Sequence, residues 1–89
     1  MTKQIPEHRK RIDELDAQIL ELIQERVSEA IQIRELKIAQ NIPLNTPERE
    51  EQLIQMLVEQ SDGKLAADVI EDIWRTIIKG GKRTGQKPL

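Results

Sequence analysis

The sequence contains no cysteine, tyrosine or phenylalanine, and Trp74 is its one aromatic residue. Without cysteine, neither a disulfide framework nor a cysteine-ligated zinc site can form. His8 is the single histidine, so neither a His-rich metal site nor a Ser-His-Asp triad is expected. No apolar run approaches the roughly 20 residues that a membrane-spanning helix needs. These absences argue against disulfide-stapled, zinc-dependent and membrane-spanning proteins.

An excess of positive charge is also missing. The 14 basic and 16 acidic residues give a net charge of -2 and are interleaved along most of the chain. Nucleic-acid binding proteins usually carry a basic surplus, so no nucleic-acid partner is expected. The chain opens with polar residues rather than an apolar signal segment, which predicts a cytoplasmic protein with no membrane contact.

A length of 89 residues predicts a single domain, residues 1–89. Its longest periodic stretch predicts a first helix from about Pro6 to Gln40. The apolar residues there recur at helical spacing, at Ile12, Leu15, Ile19, Leu22, Ile23, Val27, Ala30, Ile31 and Ile33. Such a helix is about 50 Å long, more than so short a chain can cover. A partner chain is therefore expected.

Two shorter helices are predicted to follow. Thr46 and Pro47 suit the N-cap and the first position of the second helix, which ends near Gly63. The third is predicted from near Ala66 to Lys79. The Gly-Gly pair at residues 80–81 is interpreted as its stop signal, with residues 80–89 as a flexible basic tail.

Two charged residues of the first helix occupy positions reserved for apolar side chains. Arg26 and Glu29 fall on the heptad series that start at Ile12 and Leu15. Lys37 follows Arg26 by eleven residues, about 16 Å along the helix and only about 20° around it. Either Arg26 pairs with Glu29 and Lys37 reaches solvent, or both cations face an interior site that takes an anion. Arginine suits a carboxylate through its bidentate geometry.

Arg9 is a third basic candidate. It precedes Arg26 by seventeen residues, about 25 Å along the helix and roughly 100° around it, so the two cannot meet on one straight helix. An antiparallel partner subunit could bring Arg9 to the site; otherwise it belongs to a solvated basic face. Arg49 and Glu50, in the first turn of the second helix, are further candidate site residues. The alternative interpretation is an ordinary acidic helix start with a surface ion pair.

Together these residues resemble the all-helical (AroQ-class) chorismate mutases over roughly residues 5 to 79. The matching positions, in order, are Arg9, Ile12, Leu15, Asp16, Ile19, Glu25, Arg26, Lys37, Ile42, Pro43, Pro47, Glu48, Arg49, Glu50, Ile73, Trp74, Ile77 and Ile78. The resemblance implies an all-α fold with three helices per subunit, one long and two shorter, in an intertwined homodimer with shared active sites.

Carried over position by position, the resemblance also implies roles. Arg26, with Arg9 from the partner subunit, would clamp the two carboxylates of chorismate. Lys37 would donate a hydrogen bond to the ether oxygen of the breaking bond. Glu50 would hold the ring hydroxyl, and Arg49 would support the site beside it.

The sequence departs from the family in two places. Thr46 stands where chorismate mutases often have Asp, whose contribution there is largely made by the backbone. The family's third helix commonly continues through a small polar residue to a Gln that contacts the ether oxygen. Gly81 and Gly85 fall at those two positions, with Gln86 one residue later. Gln86 could substitute for the missing contact. Alternatively, the contact is absent and activity is weakened, or the tail becomes ordered only when a ligand or partner binds.

The reaction implied is the Claisen rearrangement of chorismate to prephenate in aromatic amino acid biosynthesis. It needs no nucleophile, metal or cofactor, because the substrate rearranges within itself. Two relatives on the same fold remain open: an isochorismate-pyruvate lyase and an aminodeoxychorismate mutase. A non-catalytic helical dimerisation module is the alternative from a different class.

Overall fold

The computed structural model describes residue 2 and residues 4–85 of the chain. It contains three helices, α1 (Ile5–Ala39), α2 (Pro47–Gln60) and α3 (Ala67–Gly85), and no strand within those residues. The predicted all-α class is confirmed, and α1 and α2 begin and end close to the expected residues. None of the described helices combines the length and apolar character needed to cross a membrane.

Helix α1 ends in a Schellman motif. Asn41 takes the left-handed conformation, with φ of 59°, which asparagine tolerates better than most residues. Its N–H donates to the carbonyl oxygen of Ile38 at 3.3 Å, and the N–H of Ile42 donates to that of Lys37 at 2.8 Å. These bonds satisfy carbonyl groups that the end of the helix leaves open, and they fix the backbone at Lys37.

Helix α2 begins as its sequence predicts, with Thr46 at the N-cap and Pro47 at the first helical position. The Thr46 side chain makes no capping hydrogen bond. The backbone carbonyl oxygen of Thr46 instead accepts hydrogen bonds from the backbone N–H groups of Arg49 at 3.1 Å and Glu50 at 3.3 Å. These two bonds close the first turn of α2, which carries Arg49 and Glu50.

The α2–α3 connection is tightened by local hydrogen bonds. Gly63 has φ of 90°, a conformation that glycine adopts without steric cost, and its N–H donates to Ser61 Oγ. The N–H of Lys64 donates to Asp62 Oδ1 at 3.0 Å. That backbone bond, with the Lys64 ammonium beside it, lowers the pKa of the exposed Asp62 carboxyl.

Helix α3 runs further than predicted. The expectation that Gly80-Gly81 would end it is wrong, since the helix continues to Gly85. Gly81 is buried, and a Cβ built on it would lie 3.6 Å from Val27 Cγ2 of α1. Gly81 follows Ile77 and Ile78 by one helical turn, so it extends the packed stripe of α3. The expected flexible tail stays a prediction only for residues 86–89, outside the described residues.

Helix α3 packs against both other helices. Its Ile70 and Ile54 of α2 are the most buried hydrophobic side chains, with 4% and 5% exposure. At the α2–α3 contact Arg75 pairs with Glu51 and with Glu71, and these two carboxylates raise its pKa. Trp74 is half-buried in the single chain.

Most of α1 is left uncovered by its own chain. It has no buried residue, and its apolar residues are largely exposed, among them Ile12, Leu15, Ile19, Leu22, Ile33 and Leu36. The Cα radius of gyration is 16.7 Å, whereas a compact chain of this length has about 12 Å. A single chain therefore leaves a long apolar face in water, which is unusual for a stable monomer.

Candidate active site

One cavity of about 630 Å³ lies between the second half of α1, the start of α2 and the end of α3. Its lining residues are Arg26, Ala30, Ile31, Ile33, Arg34, Lys37, Leu44, Asn45, Thr46, Arg49, Glu50, Leu53, Ile78, Gly81 and Lys82. We call it the cationic cavity. All three helices and the α1–α2 connection contribute residues to the lining.

Five residues singled out from the sequence lie on this one cavity: Arg26, Lys37, Thr46, Arg49 and Glu50. The first two come from the same face of α1, as their eleven-residue separation indicates, and both are half-buried. Within the described residues Arg26 makes no ion pair with Glu29, which is exposed. The absence of this pair argues against the interpretation in which Arg26 is neutralised by Glu29 on the surface of α1.

The charge on the cavity is strongly unbalanced. Its charged lining residues are five cations and one carboxylate, a net charge of +4 at neutral pH: Arg26, Arg34, Lys37, Arg49 and Lys82 against Glu50. Cations that share a partly buried, concave site raise each other's energy unless an anion enters. The arrangement favours an anionic ligand, and arginine can bind a carboxylate in bidentate fashion.

Sequence reasoning missed two of these cations. Arg34 donates from Nη2 to the carbonyl oxygen of Lys82 at 3.3 Å, and its Nη1 is buried with no hydrogen-bond partner among the described residues. Arg34 follows Arg26 by eight residues, a spacing that could have placed it on the same helical face. Lys82 was assigned to a tail because the Gly-Gly pair was interpreted as a helix end.

Glu50 is the acidic member of the site. Its side chain is 25% exposed, and its Oε1 accepts a hydrogen bond from Lys82 Nζ at 2.8 Å. The pair joins the start of α2 to the last turns of α3 across the edge of the cavity. Glu50 is thus held by a residue far along the chain, rather than by a neighbour in its own helix.

One predicted site residue, Arg9, does not line the cavity of its own chain. Arg9 is exposed near the start of α1, and about 25 Å of helix separates it from Arg26. Gln86 lies outside the described residues, so its contact with the site stays a prediction. In the described part of the chain, no three His, Asp or Glu side chains are grouped so as to hold a metal ion.

Comparison with known proteins gives one family. A sequence profile of chorismate mutase type II matches residues 8–86. A chorismate mutase of Methanocaldococcus jannaschii is 50% identical over 50 residues, which is 56% of this chain. A bifunctional chorismate mutase/prephenate dehydratase of Aquifex aeolicus is 34% identical over 80 residues, or 85% of the chain. The chain belongs to the chorismate mutase type II family.

Solved structures agree. Two forms of chorismate mutase from Thermus thermophilus superpose with TM-scores of 0.85 and 0.89, at 26% and 25% identity. The match to Form I covers 89% of this chain and 99% of the Form I chain. The match to Form II covers 96% of this chain and 97% of the Form II chain. The matched stretch is 50% of the Methanocaldococcus protein and 22% of the Aquifex protein.

Proposed function

We propose that the protein is a chorismate mutase that converts chorismate to prephenate by a Claisen rearrangement. The observation that carries the proposal is the cationic cavity, with five cations around one carboxylate, in a chain of this family. The described lining contains no serine, cysteine or histidine to act as nucleophile or base. A pericyclic reaction needs none, because one C–O bond breaks and one C–C bond forms within the substrate.

The first contribution of the site is positioning. Chorismate must bring its enolpyruvyl chain over its ring in a compact chair-like conformer, and it carries a carboxylate on each part. Arg26 binds one carboxylate, and Arg9 of the partner subunit binds the other, with Arg49 beside them. Fixing both ends selects the reactive conformer and lowers the entropic part of the barrier.

The second contribution is electrostatic. Negative charge grows on the ether oxygen as the C–O bond breaks, and the Lys37 ammonium donates a hydrogen bond to that oxygen. Because this interaction is stronger in the transition state than in the bound substrate, it accelerates the reaction rather than only tightening binding. Glu50 accepts a hydrogen bond from the ring hydroxyl, and the backbone at Thr46 borders the same part of the cavity. Gln86 is a further candidate donor to the ether oxygen.

The site is complete only in a dimer. The exposed apolar face of α1 supports a homodimer in which the two long helices cover each other. An antiparallel pairing would carry the first turns of one subunit toward the Arg26 region of the other. Each active site would then combine one chain's cavity with Arg9 of the partner subunit. A cytoplasmic location is part of the same proposal.

Product identification tests the proposal. The purified protein is incubated separately with chorismate, isochorismate and 4-amino-4-deoxychorismate, and the products are separated by liquid chromatography and identified against authentic standards, because a rearrangement leaves the mass unchanged. Prephenate from chorismate, with turnover faster than the spontaneous rearrangement, is expected. Pyruvate release from isochorismate as the main activity would instead identify a lyase. No turnover of any of the three would favour a helical dimerisation module.

A further inference from the structure

The ion pair between Lys82 and Glu50 crosses the edge of the cationic cavity, and none of the matching family positions includes Lys82. The Lys82 ammonium is 2.8 Å from Glu50 Oε1, and it is the one hydrogen-bond donor to that side chain within the described residues. Lys82 is about half exposed and Glu50 one quarter exposed. The carboxylate therefore meets any ligand with one oxygen already bound to a cation.

The backbone at Lys82 is held in place from α1. Arg34 Nη2 donates to the Lys82 carbonyl oxygen at 3.3 Å, and the neighbouring Gly81 is buried close to Val27. Both contacts depend on α3 continuing past the Gly-Gly pair. Lys82 is thus a fixed part of the cavity wall, supported by the helix that also carries Arg26 and Lys37.

We propose that Lys82 is a positioning residue that makes Glu50 selective for a neutral hydroxyl over an ammonium group at the same ring position. This rests on the proposed function, in which Glu50 accepts a hydrogen bond from the ring substituent. A lone carboxylate would prefer an ammonium donor, because charge-assisted hydrogen bonds are the stronger ones. A lysine on Oε1 reverses that preference.

The reversal follows from distance and charge. Two donors on the two oxygens of one carboxylate lie about 5 Å apart, so a substrate ammonium would face the Lys82 ammonium at that separation. Two like charges at about 5 Å repel substantially in a partly buried site. The other four cations of the cavity, Arg26, Arg34, Lys37 and Arg49, add to the repulsion. A hydroxyl carries no such penalty and still donates its proton to the free oxygen.

The test compares chorismate with 4-amino-4-deoxychorismate, whose allylic amine is protonated at neutral pH. The measured quantity is the ratio of kcat/KM for the two compounds, in wild type, Lys82→Met and Lys82→Arg. Arg83→Met is the matched control, since it removes one cation from the next, exposed residue of α3, outside the cavity lining. Circular dichroism and thermal unfolding establish that each variant is folded.

We expect Lys82→Met to shift the ratio toward the amino compound by about tenfold or more. Lys82→Arg, which keeps the charge, and Arg83→Met should both stay near the wild-type ratio. If a variant converts either compound too slowly to measure, the ratio of the dissociation constants of the two compounds is measured by calorimetry, and the same shift is expected. A Lys82→Met ratio within about twofold of wild type would overturn the proposal while leaving the mutase function intact. A wild type that leaves chorismate unchanged would contradict the proposed function itself.

Discussion

Arg34 of α1 donates a hydrogen bond of 3.3 Å to the backbone carbonyl oxygen of Lys82, forty-eight residues further along the chain. This contact joins the helix that carries two predicted catalytic cations to the end of the helix that closes the cavity. It extends the packing of α3 on α1 beyond the apolar stripe, into a region where local sequence favours a helix end.

Replacing Arg34 by alanine should therefore weaken the attachment of the last turns of α3. We expect the free energy of unfolding to fall by about 1 kcal/mol or more, because a charged donor to a backbone oxygen and its packed stem are lost. Urea denaturation at fixed protein concentration measures the change. Arg11→Ala is the control, since Arg11 makes only an exposed ion pair with Glu14 one turn away and should change stability by less than about 0.5 kcal/mol.

The two glycines Gly80 and Gly63 should respond to alanine in opposite directions. Gly80 lies inside α3, with open space where its Cβ would be, so Gly80→Ala should stabilise by about 0.5–1 kcal/mol. Gly63 has φ of 90°, where alanine is strained, so Gly63→Ala should destabilise by about 1 kcal/mol or more. Thermal unfolding of both variants measures this contrast; equal shifts would contradict the continuous helix.

The end of α3 is a helix boundary that could not be predicted from the local sequence. The boundaries at Asn41 and at Thr46-Pro47 were predictable because the signals are local: a residue that tolerates positive φ, and a cap followed by proline. The continuation through Gly80-Gly81 depends on Gly81 packing against Val27, a contact between residues distant in sequence. Helix propensity is a weak preference that tertiary packing overrides.

The same difference between local signals and distant contacts decides which cavity residues could be predicted from the sequence. Arg26 and Lys37 could be placed together from the period of one helix, because both lie on α1. Lys82 could not, since its position requires the correct end of α3. Arg34 follows Arg26 by eight residues, but the heptad series continues from Arg26 to Ile33 and therefore does not include Arg34.

Lys37→Ala tests the electrostatic part of the mechanism. If Lys37 donates to the ether oxygen, turnover of chorismate should fall by about 100- to 1,000-fold, with a smaller effect on unfolding. Lys64→Ala is the control, because Lys64 is an exposed lysine of the α2–α3 connection and does not line the cavity. Prephenate formation, followed by loss of chorismate absorbance, provides the measurement. A Lys37→Ala variant with nearly normal kcat would remove this residue from the mechanism.

The central claim is that each active site combines residues of two subunits, and Arg9 is the residue that tests it. Arg9 and Arg26 are about 25 Å apart along one helix, so they can bind the same substrate only from different chains. Arg9→Ala and Arg26→Ala homodimers should each be nearly inactive. Their heterodimer would hold one site with both substitutions and one intact site.

The decisive measurement is chorismate mutase activity after the two inactive variants are mixed in equal amounts, unfolded and refolded together. Random pairing makes half of the dimers mixed, each with one intact site of two, so activity should recover to about a quarter of wild type. One variant is labelled with ¹⁵N, because the two single Arg→Ala subunits otherwise have the same mass, and mass spectrometry of intact dimers then verifies that heterodimers formed. Recovery near this level supports the shared site, whereas heterodimers without activity would contradict it.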